Sequence, residues 1–353
     1  MPSLTLPWLS MQLFPTQSTQ GITSQWVVSA TQAKQLIEQG ATILDSRNLL
    51  AWMIGHVPGA VHVSWKQFSQ QQSAHKGKLI ENPEILEQKL RNLGVFNAKP
   101  VIVIGNPAEP CNFGEEGRIV WMLRSLGHQS VAFVDGGHTA LIQAGFPITL
   151  DFTQPIPGDF VVKQIALWSI QRDELQAHLS VQDASQKLIV IDTRSPREFA
   201  GATPYGEQRG GHIPGAVHFY FKNLLDAKGY LLPRDQIIAQ LNSLGINFDT
   251  PIATYCTGGV RSAFFVSVLT DLGFTHVKNY AGSMWEWSAG KASSYPLEPI
   301  RKILEKNGAH YQNSLFICVA YGKPLARLHL CSLRQAASAS TSVVSNLLNL
   351  LFG

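Results

Sequence analysis

The sequence predicts an α/β fold built twice, as two tandem domains, each a mainly parallel sheet with helices on both faces. Three observations predict it. Short apolar, β-branched runs alternate with helical patterns along most of the 353 residues, and strands that are apolar throughout read as buried on both sides. The pattern then returns: Gly55-His-Val-Pro-Gly-Ala60 reappears as Gly211-His-Ile-Pro-Gly-Ala216, with equivalent points about 150 residues apart, as in a duplicated unit. Finally, Tyr255-Cys256-Thr257-Gly258-Gly259-Val260-Arg261-Ser262 joins an apolar strand to an apolar helix, at the strand end where such folds bind ligands.

In chain order, Ser29 caps a helix that Gly40 closes, and Ala41 to Asp45 is a short buried strand followed by Ser46-Arg47. The first hexapeptide leads into the strand Val61-His-Val63, and a helix is expected from about Asn82 to Leu93. Pro100 to Ile104 is the next strand. Gly117-Arg118 is read as opening an apolar helix that ends near Gly127, and Val131 to Val134 leads through Asp135-Gly136-Gly137 into a last helix. The second copy runs in parallel: the strand Leu188 to Asp192, Thr193-Arg194, the second hexapeptide, Val217-His218, a helix from Pro233 to about Gly245, the strand Pro251 to Tyr255, the helix out of Arg261, the strand Thr275 to Tyr280, and Ala281-Gly282. Asp151 to Gly158 is Pro-rich and reads as the connection. The expected layout is a disordered leader over 1–23, with Met11 as an alternative start, a non-catalytic domain over 24–150, a linker over 151–159, a catalytic domain over 160–300, and a weakly ordered tail over 301–353.

Composition bounds the possibilities. The chain is 45% hydrophobic and 15% charged, which suits two globular cores, and its net charge of +4 argues for no nucleic-acid partner. Six Lys/Arg against one acid from Arg301 onward give that segment +5, leaving about −1 for everything before it. Cys111, Cys256, Cys318 and Cys331 form no C-x-x-C pair, which supports neither a zinc ribbon nor a thioredoxin motif and fits a reducing, cytoplasmic setting.

Cys256 is the candidate nucleophile. Gly258 and Gly259 let the loop curl its N–H groups inward, the helix that follows presents the positive end of its dipole, and Arg261 adds a full charge. Each favours the thiolate. Thr257, Val260 and Ser262 complete the loop as candidate binding residues, with Asp192, Arg194 and Arg197 at the neighbouring strand end. A structural capping pair is the alternative for Asp192 and Arg194, and Asp45 and Arg47 are read that way outright. The copies differ at the decisive place: Gly105 stands where Cys256 does, Arg118 is matched to Arg261, and the first loop is longer, with Cys111 inside it and read as incidental. His56 and His212 occur in both copies and read as structural. Trp285, Glu286 and Trp287 are candidates for the pocket mouth or for the core.

The two Gly-His-[Val/Ile]-Pro-Gly-Ala motifs, the Asp-x-Arg strand ends and the Cys-x-x-Gly-x-Arg loop resemble the rhodanese superfamily. Two copies with the cysteine in the second are similar to the thiosulfate and 3-mercaptopyruvate sulfurtransferases, over roughly residues 24 to 298. The resemblance implies a sulfane sulfur carried on the cysteine as a persulfide and passed to cyanide or a thiol, with no metal or organic cofactor. It also implies a small-molecule donor, a thioredoxin-like reductant as one candidate partner, and a monomer. Arg261 is expected to attract an anionic donor and hold its leaving group. Two positions depart from those enzymes, whose loop usually ends in Val-Thr and whose substrate-binding arginine falls where this chain has Glu198. Arg197 and Arg209 are the candidate replacements. The rival classes are a cysteine phosphatase or arsenate reductase of related fold, which needs a longer loop than the six residues from Cys256 through Arg261, and a non-catalytic sulfide-sensing module.

Overall fold

A computed structural model describes residues 24–180 and 188–298. The expected leader, the expected tail, Cys318 and Cys331 lie outside the described residues. The first sheet is formed by β1 (Val27–Val28), β2 (Thr42–Asp45), β3 (Val61–His62), β4 (Val101–Ile104) and β5 (Val131–Val134), in the order β1-β5-β4-β2-β3. The second is formed by β6 (Ile189–Asp192), β7 (Val217–His218), β8 (Ile252–Tyr255) and β9 (Val277–Asn279), in the order β7-β6-β8-β9. Every strand pair in both is parallel. A parallel bridge from Ser169 to Asn279 takes the place that β1 holds in the first sheet.

Local chemistry sets the helices around them. In the first domain, α1 (Ala30–Glu38) starts at a capping box between Ser29 and Gln32. Soon after β2 comes α2 (Leu49–Met53), capped by the Asn48 side chain, and α3 (Pro83–Asn92) is capped by the Asn82 side chain with proline at its first position. Next come α4 (Glu115–Ser125) and α5 (Gly137–Gln143). The second domain carries α6 (Arg172–Leu179), α7 (Pro196–Phe199), α8 (Arg234–Asn242), α9 (Val260–Asp271) and α10 (Ser283–Ala289).

Helices cover both faces of each sheet. Residues of α1 and α5 pack in one core with β2, β4 and β5, and residues of α6 and α10 do so with β6 and β8. A third core spans both domains, because α4 and α9 face each other between the sheets. Phe264 of α9 packs closely against Gly114 and Gly117, and Ser267 Oγ donates to the Gly117 carbonyl at 3.0 Å. Both helices are therefore buried almost all round, including the Glu116, Arg118 and Arg124 side chains of α4.

One expectation about this region is corrected. The helix expected from Gly117-Arg118 begins at Glu115, because Gly114 supplies a left-handed cap (φ +80°) and Glu115 and Glu116 suit the positive end of the dipole. The two helices therefore start at Gly114 and Gly259, which puts Glu116, not Arg118, in register with Arg261. Lys163 N–H donates to Leu126 and Ile165 N–H to Ser125, so this stretch lies along the first domain. Among the described residues, no helix is long and apolar enough to cross a membrane.

Candidate active site

Cys256 ends β8 and α9 begins four residues later, so the loop between them has to turn sharply. Gly259, at φ +75°, makes that turn. Gly258 is required for another reason: a Cβ there would run into the Trp285 ring. The loop carbonyls are drawn away from the sulfur. Those of Cys256 and Thr257 accept the N–H groups of Met284 and Trp285 at the start of α10, at 3.1 and 3.0 Å. That of Gly259 accepts from Asn279 Nδ2 at 3.2 Å and from Arg118 Nη1 at 3.1 Å. Turning carbonyls outward leaves N–H groups inside.

The Cys256 side chain is 1% exposed. Burial pushes its thiol up, but the Arg261 charge, the N–H groups of Ser262 and Gly258 and the Ser262 hydroxyl outweigh burial and bring it below the ordinary thiol value. Ser262 Oγ lies 3.6 Å from Sγ and 2.7 Å from Asn279 Oδ1, so its one proton can serve either atom. The Cys256 N–H is held by Ser283 Oγ at 3.1 Å, and Ser283 is the one non-glycine residue at positive φ (+50°) among the described residues. That backbone is costly for serine, and it delivers the hydroxyl to the base of the loop.

Arg261 is buried, and its terminal nitrogens are committed. Nη1 and Nη2 donate to the two Glu198 oxygens at 2.7 Å each, and Nη2 also donates to Thr257 Oγ1 at 2.8 Å. The Thr257 hydroxyl lies 3.0 Å from an oxygen of both Glu198 and Glu207. Burial pushes the Glu198 carboxyl up, yet hydrogen bonds and charge from Arg261 hold it down at about 2. The Phe113 and Tyr205 rings flank the guanidinium, each 5.7 Å away. The fork that the sequence reading offers to a donor's leaving group is thus occupied by Glu198, while Arg261 still lines the cavity described next.

A cavity of about 550 Å³ opens onto Cys256, Thr257, Gly258, Val260 and Arg261. Its other wall comes from the first domain, including Trp65, Lys66, Lys76 and Glu115. Lys76 Nζ sits 4.1 Å over the Trp285 ring. Cys111, read from the sequence as incidental, is exposed and lines the same cavity.

Several expected residues do not come to the cavity. Asp192 and Arg194 form a closed buried pair whose Nη2 also donates to the Gly211 carbonyl at 2.8 Å. Asp45 and Arg47 repeat it bond for bond, down to the Gly55 carbonyl at 2.8 Å, in the copy with no cysteine. The pair braces the hexapeptide. Arg197 is exposed and lines no part of the cavity. Arg209 donates to four carbonyls, of Trp287, Ser288, Gly290 and Tyr295. His212 is buried against Phe199, ring centroids 3.9 Å apart, and His56 against Trp52, at 4.5 Å. Trp285 lines the cavity, Trp287 lies in the core, and Glu286 faces Lys78 at 3.4 Å.

The first domain differs at the position equivalent to Cys256. A Cβ at Gly105 would run into the carboxyl group of Glu116. Glu116 is fully buried, accepts from Asn112 at 3.1 Å, and is pushed up by burial toward the neutral acid. A carboxyl group thus fills the space that opens above the cysteine in the second copy.

Fold and loop together define a two-domain α/β protein with a buried cysteine between a strand and a helix of the second domain. The description of the rhodanese-like domain matches residues 29–144 and 171–290, and the chain belongs to that family, as a sulfurtransferase of the rhodanese type. It is 31% identical to a thiosulfate sulfurtransferase of Azotobacter vinelandii, over 72% of this chain and 90% of that protein. It is 30% identical to one of Pseudomonas aeruginosa over the same shares, and 27% identical to the sulfur carrier protein TtuD of Thermus thermophilus over 68% and 85%. Among solved structures, YnjE superposes with a TM-score of 0.66 at 20% identity over 78% of this chain and 68% of that one. EanB in complex with ergothioneine does so with 0.66 at 22% over 78% and 70%. At these identities the likeness is one of fold.

Proposed function

We propose that Cys256 carries a sulfane sulfur as a persulfide, taken from thiosulfate or 3-mercaptopyruvate and passed to cyanide or a thiol. The observation that carries this reading is the buried Sγ, held low by Arg261 and by inward N–H groups. The thiolate attacks the outer sulfur of thiosulfate. A new S–S bond forms, the old one breaks, and its electron pair leaves with sulfite. The persulfide is still an anion, so the same donors stabilise it. Cyanide, or a thiolate, then attacks the outer sulfur, and the electron pair of the broken S–S bond returns to Cys256. Thiosulfate requires no proton in this sequence, whereas 3-mercaptopyruvate releases an enolate that must be protonated. This makes thiosulfate the simpler fit. The names of the bacterial relatives, two thiosulfate sulfurtransferases and a sulfur carrier, support the same donor and a transferable sulfur.

The site residues follow from this reading. Cys256 is the nucleophile, Gly258, Ser262 and Arg261 stabilise its charge, and Thr257, Gly259 and Val260 shape the loop. The phosphatase reading finds less support, because the guanidinium that would hold a phosphate is paired with Glu198.

Intact mass after incubation with each donor tests the proposal. One added sulfur atom on Cys256, removed by cyanide, is the expected result. Cys256→Ser is expected to abolish turnover and Cys111→Ser to preserve it. A donor-loaded sulfur on any other residue, or turnover by Cys256→Ser, would overturn the assignment.

A further inference from the structure

The Gly259 carbonyl of the cysteine loop is held from the other domain. Arg118 of α4 donates Nη1 to it at 3.1 Å and Nη2 to the Gly77 carbonyl at 2.6 Å. Arg118 is 1% exposed and forms no ion pair among the described residues. Its guanidinium stacks on Trp121, 4.5 Å from the ring. The Gly77 backbone in turn lies against the carbonyls of Gly258 and Ala281. One buried cation thus ties three segments at the base of the cysteine loop.

We propose that Arg118, from the domain without the cysteine, is a positioning residue of the Cys256 site, clamping the Gly259 peptide so that its carbonyl stays turned away from the sulfur. The proposal rests on the reading of Cys256 as the reactive thiol. Its logic follows from the loop. The carbonyls of Cys256 and Thr257 are held outward by the first N–H groups of α10. The Gly259 carbonyl is held by side chains instead, and the glycine backbone makes a flip of its peptide cheap. A trans peptide points its N–H opposite to its C=O, so a flip would exchange a donor for an acceptor beside an anion. Asn279 shares the same carbonyl, and Arg118 adds a charge that Asn279 lacks. Burial pulls the Arg118 guanidinium down to about 9, while the nearby Cys256 sulfur acts in the opposite direction. Charge coupling is mutual, so the cation also favours the thiolate.

Other charges bear on the same sulfur. Arg261 and its partner Glu198 are nearest, Glu207 acts through Thr257, and Lys66, Lys76 and Glu115 face it across the cavity. Arg261 is the stronger of the two guanidiniums for the sulfur, which assigns Arg118 to positioning first and charge second.

The test is the pH profile of Cys256 alkylation by iodoacetamide in the full chain, for wild type, Arg118→Lys and Arg118→Met, together with kcat and the melting temperature. Arg124→Lys is the control. Arg124 is another buried arginine of α4 and binds carbonyls of Val131, Gln129 and Gln25, away from the loop. Arg118→Met is expected to raise the alkylation midpoint, slowing the reaction about tenfold at pH values below it, and to lower kcat more than it changes KM. Arg118→Lys, which keeps charge but loses the two-pronged fork, is expected to lie between, and covers the case in which Arg118→Met does not fold. Arg124→Lys is expected to lower the melting temperature without moving the profile. If both Arg118 variants lose stability but keep the wild-type midpoint and kcat, Arg118 is interface packing alone and the proposal falls. Alkylation needs no sulfur donor, so this outcome is separable from a failure of the persulfide chemistry.

Discussion

Arg261 and Glu198 form a bidentate pair, 2.7 Å at both ends, in the interior beside Cys256. The carboxylate neutralises the guanidinium toward an incoming anion while leaving it close enough to stabilise the thiolate. Removing one member of a buried pair strands the other and costs about 3–5 kcal/mol. Glu198→Gln keeps the shape and releases the charge. It is expected to lower KM for thiosulfate and to lower the Cys256 alkylation midpoint, at a cost in melting temperature. Arg261→Ala is expected to act in reverse, with a raised midpoint and a loss of at least about 100-fold in kcat/KM. A thiosulfate KM unchanged in Glu198→Gln would show that the pair does not screen the donor.

The same pair predicts acid sensitivity. Glu198 titrates at about 2 in the folded chain against an ordinary 4.5. A depressed carboxyl stabilises the fold above its unfolded value, and that stability is lost as pH falls from about 4.5 through 2, by about 3 kcal/mol. Denaturant unfolding between pH 5 and 3 is expected to show a steeper loss in wild type than in Glu198→Gln.

Glu115 shifts the other way. Desolvation, then the neighbouring Glu116, pushes it up to about 7. A raised carboxyl leaves full stability below its unfolded value of 4.5 and removes it as pH rises through 7. Its ionisation also places a negative charge on the cavity wall. Glu115→Gln is therefore expected to be more stable than wild type at pH 8 and about equal at pH 4. It is also expected to abolish a rise in thiosulfate KM between pH 6 and 8. Parallel KM profiles would exclude Glu115 from donor approach.

Gly258 and Trp285 are expected to be coupled. An added methyl meets the indole, so Gly258→Ala displaces either the ring or the loop. A loss of about 10²-fold in kcat fits a small misplacement of the nucleophile. Trp285→Ala opens that space, and the double variant is expected to recover part of the loss. Additive losses would place the strain elsewhere.

Much of this was legible in the sequence. Continuous apolar runs announced buried parallel strands, because a strand covered on both faces has no polar side to show. The duplicated hexapeptides announced two domains, and the position of Cys256 between strand and helix was legible as well. The site's partners were less visible. Glu198 was noted as standing where an arginine was expected, but its pairing with Arg261 joins positions 63 apart in the chain. Arg118 did leave a signal, as a charge inside a helix buried all round. It was misread as the counterpart of Arg261, because spacing alone does not reveal where a helix starts.

The sequence by itself determined the fold class and the repeat and singled out the proposed nucleophile, since each depends on local pattern: periodicity, glycine placement, and a cysteine at a strand end. Only the tertiary structure decided which charges act on that nucleophile. Asp192 and Arg194 close on each other, Arg261 closes on Glu198, and Arg118 crosses from one domain to the loop of the other. Electrostatic partnership depends on distance and burial, and both are set by packing between segments far apart in the chain.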